Sequence, residues 1–134
     1  RFLFSNQGES PAIWGIDSAS LLNTDDVGQI VLTASHGALL GGEAASAIKY
    51  DVLACAFNDA GVGIENIGVS RLPALDQRKI AAVTVDCQTA RIGDARSMWL
   101  TGMVSHVNET AAALGVAVGG SLQEFAKKAQ SGES

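Results

Sequence analysis

The chain is poor in the features that crosslink, stack or attract polyanions. Two cysteines among 134 residues, Cys55 and Cys87, cannot build a disulfide framework. Cys55 sits inside an apolar run and reads as a small buried hydrophobe. A reducing cytoplasm is therefore the expected setting. Aromatic residues make up 5% of the chain, which argues against a large aromatic ligand cage. Nine Lys and Arg face fourteen Asp and Glu, for a net charge of −5. The adjacent cationic pairs are Arg78–Lys79 and Lys127–Lys128. No basic stripe of the kind that neutralises phosphates is present, so nucleic acid is not an expected partner. A basic membrane-surface helix is missing for the same reason. No apolar run reaches the length of a membrane span, because His36 and glycines interrupt the longest candidates. The chain opens on Arg1 and not on methionine, so a trimmed or processed start is expected.

What is present is a chain with 47% hydrophobic and 17% charged residues. That composition folds, and the length suits one domain with a real core. Residues 1–11 and 131–134 read as irregular ends of a single domain, 1–134. A strand of uncertain length is expected within 12–22 and another at 29–34 (QIVLTA). The turn residues Asn23-Thr24-Asp25-Asp26-Val27-Gly28 would join them as an antiparallel hairpin. The runs 51–57 (DVLACAF) and 80–85 (IAAVTV) are apolar throughout. Burial on both faces explains such runs, as in a parallel sheet covered by helices. Helical stretches are expected at 43–49 and 64–79, the second divided by Pro73. A long helix starting at Asp94 would carry Leu100, Met103, Val104, Val107, Ala111 and Leu114 on one face and stop at Gly115. A last helix starts at Ser121, where Ser121-Leu122-Gln123-Glu124 fits a capping box. The predicted fold is α/β: a mostly parallel, mixed sheet of about four strands, three of them parallel, flanked by helices.

Parallel strands point the same way, so the loops leaving their carboxyl ends meet along one edge, where ligands bind in open α/β sheets. Here those loops are 35–42, 58–63 and 86–96, and they hold His, Asn, Asp, paired Arg and dense Gly. The intrinsic pKa of a histidine lies near neutrality, so His36 suits acid–base chemistry, although a lone His beside a glycine turn also serves to satisfy backbone groups. Ser35 lacks the Gly-x-Ser-x-Gly setting of a nucleophile elbow, since Thr33 stands two residues before it. It is kept as a substrate contact. Gly37 and Gly61 would let backbone amides approach an anion, or merely form tight turns. Neither glycine cluster has the spacing of a phosphate or dinucleotide loop.

Asp59 is the expected partner or co-catalyst of His36, with Asn58 as a binding residue. One of the two would instead cap the helix that follows. Cys87, just past a strand, is the candidate nucleophile, and a nearby Arg would activate it. Asp94 reads as a helix N-cap. Arg96 then falls in the first turn, where the helix dipole opposes a cation. Its placement makes sense if it pairs with Asp94 or with a bound carboxylate or phosphate. Arg91 would join it, because guanidinium groups bind planar anions with two hydrogen bonds. Asn108, on a flank of the long helix, is expected to touch the site edge, whereas His106 falls farther round, at the surface or in an oligomer contact. His36, Asp59, Asp86 and Cys87 are the residue types of a zinc site, but their spacing is not that of one. No metal and no organic cofactor are expected.

The function these residues suggest is an enzyme acting by acid–base chemistry on a small anionic metabolite, a carboxylate or a phosphate. Hydrolase, lyase and isomerase reactions all fit. A non-catalytic ligand-binding or regulatory domain is the alternative. A third is a subunit of a homo-oligomer that completes its site with a partner chain, for which the apolar stretch 111–120 would serve as interface.

Overall fold

The computed structural model describes residues 2–5, 11–18, 21–36, 50–59 and 71–131. Six strands form one sheet in sequence order: β1 (Phe2–Leu3), β2 (Ile13–Ile16), β3 (Ile30–His36), β4 (Ala54–Asn58), β5 (Ala81–Val85) and β6 (Val104–Val107). The four central strands, β2 to β5, are mutually parallel, and the edge strands β1 and β6 are antiparallel to their neighbours. The helices are α1 (Arg71–Gln77), α2 (Ala95–Thr101), α3 (Glu109–Ala112) and α4 (Leu122–Ser131). The class is the α/β arrangement predicted, with two more strands than expected.

The apolar runs are apolar for the reason the pattern implied. Every residue of β4 and of β5 is buried, and alternate side chains enter two separate cores. Ile13, Ile30, Leu32, Ala54, Ala56, Val83 and Val85 pack with Met98 of α2 and with Leu122 and Phe125 of α4. Ile16, Val31, Cys55, Phe57 and Ala82 pack on the opposite face with Leu72 and Leu75 of α1. Helices thus cover both faces, which is what a parallel sheet requires.

Several local expectations change. The first two long strands do not form an antiparallel hairpin: β2 and β3 are parallel, with Ile13 opposite Ile30 and Ile16 opposite Thr33. A parallel pair cannot be joined by a tight turn, so the connection between β2 and β3 is a crossover. Within it Asn23 and Asp26 form a reciprocal capping box around a short 3₁₀ turn, Thr24–Asp26. The start of the chain is not wholly irregular, since Phe2 and Leu3 pair with Gly15 and Trp14. Pro73 lies in the first turn of α1, where a missing amide costs nothing. The helix expected at 43–49, and the part of the 64–79 helix before Arg71, lie outside the described residues.

The long helix expected after Asp94 is three elements. Helix α2 ends at Thr101, β6 follows, and α3 is a single turn. Gly102 ends α2: a Cβ there would strike the Met98 carbonyl oxygen and Val85. Val104 and Val107 suit a strand as well as a helix. The free edge of β5 decides, pairing Val83 with Val107 and Thr84 with His106. The last helix is as expected, with Ser121 Oγ accepting the Glu124 amide at 3.1 Å and Leu122, Phe125 and Ala129 buried.

Gly15 sits on β2 beneath the Phe4 ring, and a Cβ at this position would overlap it. Phe4 in turn stacks on Trp99 of α2, with ring centroids 4.7 Å apart. Gly15→Ala is therefore expected to displace Phe4 and lower stability by about 1–3 kcal/mol. Urea unfolding measures this, and an unchanged midpoint would refute the overlap.

Candidate functional site

Because β3, β4 and β5 are adjacent and parallel, their carboxyl ends lie side by side. His36 ends β3 with its backbone in register with Asn58, the last residue of β4, and Asn58 is in register with Val85, the last residue of β5. The next residues continue the line: the Asp59 amide donates to the Val85 carbonyl at 2.9 Å. Asp59 is 4% exposed, and its Oδ1 accepts the Cys87 amide at 3.1 Å. A carboxylate oxygen of Asp59, one of Asp86 and the Cys87 sulfur all lie within 4.8 Å of one another. Asp59 and Cys87, picked out from separate stretches of sequence, thus come together, and Asp86 joins them.

The segment 86–94 crosses the strand ends as a strap. Asp86 Oδ1 accepts the Gln88 amide at 2.8 Å, and Thr89 Oγ1 donates to the Asp86 carbonyl at 2.7 Å, a self-bonded turn of the type Asp favours. Asn58, fully buried, donates from Nδ2 to the Ala90 carbonyl at 3.1 Å. The Gly93 amide donates to the Ala34 carbonyl of β3 at 2.9 Å, and the Ala95 amide to Asp17 Oδ1, just past β2, at 2.9 Å. Gly93 has a φ of 82°, a backbone shape that suits glycine. The chain therefore runs from the end of β5 across β4 and β3 to β2, roofing the edge where the candidate residues gather. Asp17 was not marked by the sequence, because its partner is the first residue of α2, 78 residues away.

The other candidates are placed as follows. Asp94 is the N-cap of α2 as expected, its Oδ1 accepting the Ser97 amide at 3.1 Å. Arg91 lies on the strap with an exposed side chain, and its amide donates to Ser97 Oγ at 3.0 Å. Arg96 does not join Arg91 over the Asp59 cluster. Its guanidinium lies over the Phe2 ring, 5.3 Å from the centroid, at the β1 edge of the sheet. Three strand spacings separate β1 from β4, about 14 Å. Ser35 is half-buried near the end of β3. Gly37 and Gly61 lie outside the described residues.

Asn108 is not at the site. It is buried at the opposite end of the sheet, where its Oδ1 accepts the Ala82 and Ala111 amides at 3.1 and 2.8 Å. Its Nδ2 donates to the Leu72 and Ile80 carbonyls at 3.2 and 2.9 Å. The displacement follows from β6: a strand running antiparallel to β5 delivers residue 108 to the start of β5, not to its end. His106 is on β6 and not on a helix. Its Nδ1 lies 3.2 Å from both Thr84 Oγ1 and Ser105 Oγ.

Asp59, Asp86 and Cys87 are donor types that a divalent cation accepts. Both carboxylates already receive backbone amides, so their closeness has a structural cause without an ion. The two cysteines differ sharply: Cys55 is fully buried, whereas Cys87 is partly exposed. Under native conditions iodoacetamide is expected to modify Cys87 and spare Cys55, as read by peptide mass spectrometry. Equal labelling of both would contradict this placement.

Comparison with known proteins finds no matching family model, no similar curated protein and no similar solved structure. Among the described residues no helix is long and apolar enough to cross a membrane.

Proposed function

We propose that the chain is an enzyme that acts on a small anionic metabolite at the carboxyl edge of β3, β4 and β5, with Asp59 as its principal acid–base group. The observation that supports this best is the buried Asp59 carboxylate, fixed by the Cys87 amide beside Asp86 and the Cys87 thiol at the strand ends. A general base needs a fixed position more than it needs exposure, and strand ends fix positions better than free loops do. His36, which closes β3 opposite Asn58, is the second acid–base candidate. Cys87 is the candidate nucleophile. Arg91, the exposed cation on the strap, would hold the substrate's carboxylate or phosphate. The reading calls on no cofactor.

The test is a turnover screen of small carboxylates and phosphate esters, repeated on Asp59→Asn. Turnover that depends on Asp59 supports the reading. Saturable binding without turnover would instead make this a ligand-binding or regulatory domain.

A further inference from the structure

Arg96 is the charged residue whose position the fold explains least. It occupies the first turn of α2, where the helix dipole opposes a positive charge. The internal remedy would be an ion pair with Asp94. That carboxylate instead caps the helix through Ser97, and among the described residues no acidic group pairs with the Arg96 guanidinium. What Arg96 does contact is the face of Phe2, a weak attraction at an exposed site, and among the described residues nothing accepts from its guanidinium N–H groups.

Those donors border a cavity of about 580 Å³ lined by Phe2, Leu3, Phe4, Arg96, Trp99 and Leu100. The aromatic part of its wall is a stack: the Phe4 and Trp99 rings are within 3° of parallel, and the Phe2 and Phe4 rings within 14°. Phe2, Phe4 and Trp99 pack down onto the core, so the stack is anchored. Leu3 and Leu100, 40% and 70% exposed, extend the apolar surface outward. Among the described residues the lining side chains are apolar apart from one cation, the composition of a small-molecule site.

We infer that this pocket between β1 and α2 binds an amphipathic monocarboxylate, its apolar body against the lining side chains Phe4, Trp99 and Leu100 and its carboxylate on Arg96. The carboxylate would accept the guanidinium's paired donors. This site is separate from the Asp59 cluster, so neither proposal depends on the other.

The experiment is titration calorimetry with three probes: 3-phenylpropanoate, the neutral 3-phenylpropan-1-ol, and inorganic phosphate. The acid is expected to bind saturably with a Kd below about 1 mM. The alcohol is expected to bind at least tenfold more weakly, and phosphate not to compete with the acid. Arg96→Gln, at an exposed position, should stay folded by circular dichroism and lose at least tenfold in affinity for the acid while leaving the alcohol unchanged. Equal affinity of acid and alcohol, or of wild type and Arg96→Gln, would overturn the inference. So would the absence of saturable binding up to about 10 mM. A ligand-independent dimer broken by Leu100→Asp would show that a second copy covers the stack, which also overturns it.

Discussion

Asp59→Asn is expected to reduce turnover of any substrate found in the screen by about 100- to 10,000-fold, the range for loss of a positioned acid–base group. The substitution is isosteric. Asparagine keeps a side-chain oxygen that can accept the Cys87 amide, the bond that holds Asp59 at 3.1 Å. The strap should therefore stay in place, and urea unfolding should show a loss much smaller than that of a core substitution. What disappears is the carboxylate's capacity to take and return a proton. A fall in kcat at nearly constant KM is expected, because Asp59 is assigned to chemistry and not to substrate affinity. Unchanged kcat in a folded Asp59→Asn protein would remove Asp59 from the mechanism.

The largest stability effect is expected at the other end of the sheet. Asn108→Ala should lower the unfolding free energy by about 3 kcal/mol, read as a fall in urea midpoint at unchanged slope. Asn108 is 4% exposed and uses both ends of its amide. It caps α3 through the Ala111 amide, closes the open start of β5 through the Ala82 amide, and ties down the Leu72 and Ile80 carbonyls. Truncation removes four hydrogen bonds where water reaches poorly, and an unmet buried group costs more than a made bond gains. Asn108→Asp should be no better than Ala. It keeps the acceptor but turns a second oxygen toward two carbonyls. Full stability in either variant would contradict the role given to this side chain.

The two predictions mark the two ends of what the sequence made legible. Residues 54–58 and 81–85 could be recognised as central strands because burial on both faces removes the polar alternation, a property of the strand itself. Asp59 and Cys87 could be recognised as candidates because they follow those strands directly, and parallel strands end together. By contrast, Val104 and Val107 satisfy the helical and the extended pattern equally. Their state is set by the free edge of β5, a partner about twenty residues earlier whose need does not appear in local spacing. Reading that stretch as helix carried Asn108 to the wrong end of the molecule. The parallel pairing of β2 with β3 was hidden for a related reason. Asn23 and Asp26 are turn residues in either topology, and their capping box closes a 3₁₀ turn within a crossover. Arg96 lies in the first turn of α2, as its place after Asp94 implied, but not beside Arg91. Its neighbours could not be read, because Phe2 and Phe4 reach it only through an edge strand of two residues.

The location of the site can be tested without assigning the reaction. Cys87 lies within 4.8 Å of the Asp59 and Asp86 carboxylates, so a molecule bound at that edge must screen it. The decisive measurement is the rate of Cys87 alkylation with and without a saturating concentration of the carboxylate or phosphate ester identified in the turnover screen. The expected result is a slowing of at least about tenfold at full occupancy, the partly exposed thiol being covered. An alkylation rate unaffected by that metabolite would place its binding elsewhere and contradict the assignment of the β3–β5 edge.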